Sequence, residues 1–336
     1  MRFASYNVEW FDALFDDKGH PLIDRVEGGR QDIARGAQIE ALGHVFRSLD
    51  ADAIMLIEAP DTNRRRSTRR ALTNFAEAMG LRTSDVATGF ANDTQQEIAL
   101  LYDPDRLTAL HDPRQSADAP RFDDVLEIDL DIDARADIVT FSKPPLELTV
   151  ETATGVPLRL IGAHLKSKAP HGAKGHDAIM RLAIANRRKQ LAQAVWLRRR
   201  IVAHLAAGED LIMLGDLNDG PGLDSYEDLF GRSSVEILLG QGEDAALQLY
   251  DPHAAQALQR RLGAQPTTAR FLLRDEGRYL QALLDYIMIS ARLRECEPSW
   301  RIWHPFDDAD CWQDEALRNA LLTASDHFPV TLDIAL

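Results

Sequence analysis

The chain has 336 residues, 45% of them hydrophobic, and its 53 acidic side chains outnumber 38 lysines and arginines to give a formal charge of −15. That balance argues against a protein wrapped in a general basic coat for polyanions. No uninterrupted apolar run approaches the ~18 residues of a membrane span, and no repeat or linker divides the chain, so residues 1–336 read as a single domain.

In chain order, "MRFASYNVEWF" enters strand-like sequence at once, without the basic and apolar regions of a secretory signal. Strands are expected at 2–8 ("RFASYNV"), 53–58 ("AIMLIE"), 97–102 ("EIALLY"), 137–142 ("DIVTFS"), 146–152 ("LELTVET") and 157–165 ("PLRLIGAHL"). Further ones fall at 210–217 ("DLIMLGDL"), 283–290 ("LLDYIMIS") and 329–335 ("PVTLDIA"). Helical periodicity covers about 32–49, 67–79, 179–206 and 254–262. In the third of these, Leu182, Leu191, Val195 and Leu205 mark an apolar face, opposite Arg187, Arg188, Lys189 and the Arg198–Arg200 run. Loops at 16–31, 111–136, 166–178 and 219–250 are long for plain connections, a length that often carries function. Cys296 and Cys311 have no metal-type spacing, and two incidental thiols suit a reducing cytoplasm. Helices interspersed with roughly nine strands, with hairpins at 139–151 and 157–165, predict two packed mixed β-sheets with helices outside.

Several strands carry an acid, amide or imidazole at or near their ends: Asn7, Glu58, His164, Asp216 with Asn218, Asp285, and Asp326-His327 before the last. Taken singly, such residues suit turns and caps. Asp216 and Asn218, two apart, also share a strand face and can point at one ligand.

The segments "SYNVEW", "IE" at 57–58, "GAHLKSK", "GDLND", "LDYIMIS" and "SDHFPV" follow one another from residue 5 to residue 330. Their order resembles the endonuclease/exonuclease/phosphatase superfamily of deoxyribonuclease I-like enzymes. The resemblance implies a four-layer α/β sandwich with its site at one edge of the paired sheets. It also implies a hydrolase of phosphodiester bonds that depends on Mg²⁺ or Mn²⁺, with Glu58 as principal metal ligand and Asn7 and Asp326 completing the shell. Hard oxygen ligands suit such cations. By the same resemblance Asp216 orients or deprotonates the attacking water, while Asn218 steadies Asp216 and donates to a phosphate oxygen. His327, held by Asp285, stabilises developing charge, and His164 is a second catalytic imidazole with Glu97 expected as its carboxylate partner.

Where the family often supplies arginine before "PPL", this chain has Lys143, a point charge without a bidentate fork. Lys166, with Lys168 nearby, is expected to contact substrate phosphates. The expected substrate is nucleic acid, with "RRRSTRR" at 64–70 and "RRK" at 187–189 as local basic segments. The alternative is a phospholipid, inositol phosphate or other small phosphoester, for which the acidic charge speaks and for which residues 111–136 and 219–280 offer specificity loops. An inert binding protein on the same fold would have no need to keep every one of these acids and histidines.

Overall fold

The alternation of apolar strands with amphipathic segments resolves, in the computed structural model, into paired sheets covered by helices. The structure describes residues 1–130, 137–170, 172–221, 231–259, 265–273 and 277–336. The elements are β1 (Arg2–Asn7), α1 (Arg35–Leu49), β2 (Ala53–Pro60), α2 (Thr68–Met79), β3 (Asp85–Thr88), β4 (Gln96–Tyr102) and β5 (Leu107–His111). They continue with β6 (Leu126–Ile128), β7 (Asp137–Val139), β8 (Leu146–Thr152), β9 (Pro157–His164), α3 (His176–Ala206) and β10 (Leu211–Asp216). Then come α4 (Ser234–Leu239), β11 (Leu249–Tyr250), α5 (Pro252–Leu258), β12 (Ala269–Leu273), β13 (Arg278–Ala282) and β14 (Asp285–Ser290). The last are β15 (Ser299–Ile302), α6 (Ala309–Gln313), α7 (Glu315–Ala324) and β16 (Val330–Asp333).

Among the described residues two six-stranded sheets form, in the orders β15-β16-β1-β2-β4-β3 and β11-β14-β10-β9-β8-β5. Both are mixed: β1 runs parallel to β2 and β9 parallel to β10, while the other pairings are antiparallel. Their inner faces share one core containing Phe3, Met55, Leu100, Leu148, Leu160, Ile212, Leu214 and Ile287. A second core lies between the first sheet and α1, α2 and α7, and a third joins the second sheet to α3 and α4. Strands buried on both faces read as unbroken apolar runs, which is why "AIMLI" and "LIML" lack alternation. No described helix is long and apolar enough to cross a membrane.

The expected helices at 32–49 and 67–79 form as α1 and α2. Ser67 caps α2 by accepting from Arg70 N at 3.4 Å, and Gly80 ends it in the left-handed region. The 254–262 helix stops at Leu258, and residues 260–264 lie outside the described ones. The 137–142 segment is a strand only over Asp137–Val139, and it pairs with β6 in a two-stranded ribbon outside the main sheets. The polar face expected on α3 is largely absent. Arg187, Arg198 and Arg200 are buried against Asp219, Glu243 and Glu147, because the packed layers turn that face inward.

Candidate active site

Three strands of the second sheet finish side by side at one edge. The register sets Asp216 of β10 beside His164 of β9 and beside Asp285 of β14, making a row of three buried polar groups at the ends of apolar strands. From the first sheet Asn7 donates its Nδ2 to Asp216 Oδ2 at 3.0 Å, so a single hydrogen bond joins the sheets at the row. Ser325 donates to Asn7 O at 2.8 Å and accepts from His327 N at 3.1 Å, which seats the 325–327 segment over it.

Gly215 lets β10 approach β9 closely enough for this register. Its φ is +140°, and a Cβ there would lie 2.0 Å from Ala163 O. The strand ends at Asp216. Asn218 returns to the same carboxylate through a turn with φ 49°, its backbone N–H donating to Asp216 Oδ1 at 2.7 Å. A turn of this kind, rather than a shared strand face, brings the two together. The Asn218 amide donates to Leu165 O at 3.1 Å and to Asp216 Oδ2 at 3.3 Å, so it holds Asp216 as expected.

His327 Nδ1 lies 2.8 Å from Asp285 Oδ2, and its Nε2 is 4.0 Å from Asp216 Oδ2. Burial alone would depress this imidazolium, but the charge and hydrogen bond of Asp285, aided by Asp216 and Asp326, lift its pKa well above the ordinary histidine value. Burial pushes Asp216 up to about 7 against the pull of the His327 charge. His164 is driven well below the usual value by burial, then by the charges of Lys143 and His327. One carboxylate is therefore flanked by a charged and a neutral imidazole. Lys143 Nζ sits 3.2 Å from His164 Nδ1; an ammonium only donates, so Nδ1 accepts and the His164 proton resides on Nε2, 3.6 Å from Asp216 Oδ2.

Glu58 owes its position to a β-bulge. β2 pairs Ile57 with Ile98 and Ala59 with Glu97, leaving Glu58 with no opposite residue and a φ of 66°. The extra residue re-aims one side chain out of a buried strand. Glu58 Oε2 accepts from Gln96 Nε2 at 2.5 Å and from Trp10 N at 3.2 Å. Asn7, Glu58 and Asp326 line one cavity of about 890 Å³ together with Lys143, His164, Lys166, Asp216, Asn218 and His327.

A family model described as the Endonuclease/Exonuclease/phosphatase family matches residues 4–327. The chain belongs to the endonuclease/exonuclease/phosphatase family. No curated protein matches it. Among solved structures, TDP2 from C. elegans is 14% identical with a TM-score of 0.52, covering 100% of this chain and 75% of that one. An AP endonuclease from Archaeoglobus fulgidus is 12% identical with a TM-score of 0.53, covering 100% of both chains. These likenesses establish the fold, that of the deoxyribonuclease I-like sandwich.

In this member of the family, carboxylate and amide oxygens of Asn7, Glu9, Glu58 and Asp326 line the same cavity. Glu9 lies beside Asp326 and is ion-paired with Arg30, and burial followed by the Asp326 charge pushes Glu9 up to about 7 against the pull of Arg30. A cation relieves such repulsion, and carboxylate and amide oxygens are the donors Mg²⁺ and Mn²⁺ prefer. A second set, Asp216, Asp285 and His327, brings one ligand atom from each within 4.8 Å of the others. There the Nδ1–Oδ2 hydrogen bond already engages Asp285 and His327, an arrangement suited to holding a proton.

One expected pairing does not form in this endonuclease/exonuclease/phosphatase chain. Glu97 faces Asn92, accepting from its Nδ2 at 2.8 Å, because alternation along β4 places it with Ala99 and Leu101 on the helix side of the first sheet, away from His164. Lys166 and Lys168 both line the cavity, Lys168 paired with Asp219 and Lys166 with its Nζ donating to Ser167 O at 3.1 Å. The basic runs are engaged with acids as well: Arg66 with Asp61 at 2.9 Å, Arg69 with Asp85 at 2.6 Å, Arg188 with Asp137 at 2.9 Å. Glu9 and Phe271, which line the cavity, and Gln96, which donates to Glu58, escaped the sequence reading. Glu9 had a signal in "NVEW"; Gln96 and Phe271 had none, since only the bulge sets Glu58 on Gln96 and only a hairpin brings Phe271 to the cavity.

Proposed function

We propose that this chain is a divalent-cation-dependent phosphodiesterase that hydrolyses nucleic acid by in-line attack of an activated water. The observation that carries the reading is convergence: residues spread from Asn7 to His327 meet at a single cavity, with the buried Asp216 carboxylate between the His164 and His327 imidazoles. Asp216, fixed by Asn7 and Asn218, accepts the proton of the attacking water at Oδ2. His327, kept charged by Asp285, presents its Nε2–H to the oxygen on which negative charge builds, and His164 offers a neutral Nε2–H from the other side. Lys143 and Lys166 position the phosphate. Asn7, Glu58 and Asp326, with Glu9 beside them, would hold Mg²⁺ or Mn²⁺, which when bound neutralises phosphate charge.

A second reading, a small phosphoester as substrate, is favoured by the ion pairs that occupy the basic runs and by the −15 charge. Turnover of duplex DNA, single-stranded DNA, RNA and small phosphodiesters with each cation separates the two. Asp216→Ala is expected to lower turnover at least 10³-fold on whichever substrate responds while circular dichroism stays native. Retained turnover would remove Asp216 from the reaction. Glu58→Gln is expected to raise the cation concentration for half-maximal rate by about tenfold or more, the scale for losing a metal-site group; an unchanged titration takes Glu58 off the ligand set.

A further inference from the structure

The polar row forms only one side of the cavity. Facing it is a wall built by the β12–β13 hairpin and the first turns of α3. The hairpin strands pair with each other, Phe271 opposite Leu280 and Leu273 opposite Arg278, and belong to neither main sheet. Period-two alternation puts Phe271 and Leu273 on the same face as Leu280, and all three line the cavity, while Arg270 stacks on Tyr279 on the other face at 3.3 Å. Ile179, Ala183 and Pro170 extend the wall, and Trp10 stands at the rim beside Glu58. Ile179 is 41% exposed and Trp10 44%, so apolar surface lies open inside a functional cavity. The hairpin is tied to the polar row. Arg270 N donates to Asp326 O at 2.7 Å, Phe328 N donates to Thr268 O at 2.6 Å, and Thr268 Oγ1 accepts from Asp285 N at 3.0 Å. The Phe271 ring meets the His327 ring edge-on at 5.5 Å. A phosphate seated at the row therefore has its organic substituent against this wall.

We propose that the hairpin is the specificity element of the site and selects phosphoesters whose phosphate carries an apolar group, either a planar ring or an alkyl chain. The inference rests on the phosphodiesterase reading and adds to it the chemistry of the substituent. A purely electrostatic phosphate site has no use for exposed Ile179 and half-buried Phe271, Leu273 and Leu280. Burying such surface against a ligand is favourable, and the polar row has none to offer.

The test is binding of methyl-, phenyl- and hexylphosphonate, measured by calorimetry with Mg²⁺ present, since the three share a head group and differ only in the substituent. Phenyl- or hexylphosphonate is expected to bind about ten- to a hundredfold tighter than methylphosphonate, on the scale of burying one ring or chain. A phenyl preference marks a ring site such as a base would fill, and a hexyl preference marks a chain site. Ile179→Ser and Leu280→Ser, both partly exposed positions, are expected to cut that preference at least threefold while methylphosphonate affinity holds. Equal affinity for all three ligands, or a preference untouched by both substitutions, overturns the proposal. Absence of binding by all three phosphonates overturns the underlying phosphodiesterase reading instead, so the two failures are distinct.

Discussion

At the scale of single residues, local surroundings push two neighbouring imidazoles in opposite directions. His327 and His164 are both buried, yet Asp285 at 2.8 Å keeps one charged, while Lys143 at 3.2 Å helps keep the other neutral. The family resemblance suggested the Asp285–His327 pair, but nothing in the sequence could assign a tautomer. Removing the charged imidazole with His327→Ala is expected to lower kcat by about 10²–10⁴, the scale of a general acid or charge-stabilising donor. Steady-state kinetics at saturating cation checks this, and an unchanged kcat removes His327 from the reacting groups. Glu58 is the opposite lesson. Its type and place in the chain were legible, but its aim depends on a bulge with φ 66° that no propensity announces. The same bulge brings Glu58 onto Gln96, while alternation along β4 leaves Glu97 on the helix side of the sheet, out of reach of His164.

At the scale of elements, β10 shows why "GDLND" has the form it has. The apolar run is a strand buried on both faces, Gly215 permits contact with β9, Asp216 closes the strand, and Asn218 folds back on it. Gly215→Ala places a methyl 2.0 Å from the Ala163 carbonyl at a φ of +140°, so a loss of about 3 kcal/mol or more is expected from forced overpacking and backbone strain. Urea denaturation measures it; a midpoint within experimental error of wild type would show that the strands separate at little cost. The long segment 219–280 gave no reliable strand signal, because β12 and β13 form a two-stranded ribbon outside the main sheets and carry arginine and leucine on both faces. Amphipathic strands of that kind lack the clean alternation from which strands are read.

At the scale of the whole molecule, stability and site share the same strands. Asp251 caps α5 by accepting from His253 N at 2.8 Å and Ala254 N at 2.9 Å, and its other oxygen accepts from Ile287 N of β14 at 3.0 Å. Burial raises its pKa to about 6, with those hydrogen bonds opposing the rise. The folded state thus holds this proton where the unfolded chain, with an aspartate pKa of about 3.9, has lost it. Its contribution falls as pH climbs through that interval and levels off above 6. The stability advantage of wild type over Asp251→Ser is therefore expected to shrink by about 2 kcal/mol between pH 4.5 and 7.5. Paired unfolding curves at the two pH values check it, and an advantage that grows with pH would reverse the assignment.

The sequence by itself determined the layered α/β class, the central strands and most of the polar groups at their ends. Those features are local: an unbroken apolar run, a helical period, an acid beside a glycine turn. Tertiary structure alone decided which of those groups meet, through the β9–β10–β14 register, the bond from Asn7 to Asp216 and the bulge at Glu58. It also decided that the arginine runs face acids and that a hairpin supplies an apolar wall. The physical reason is that protonation, pairing and aim depend on neighbours distant in the chain, and strand register is what chooses those neighbours.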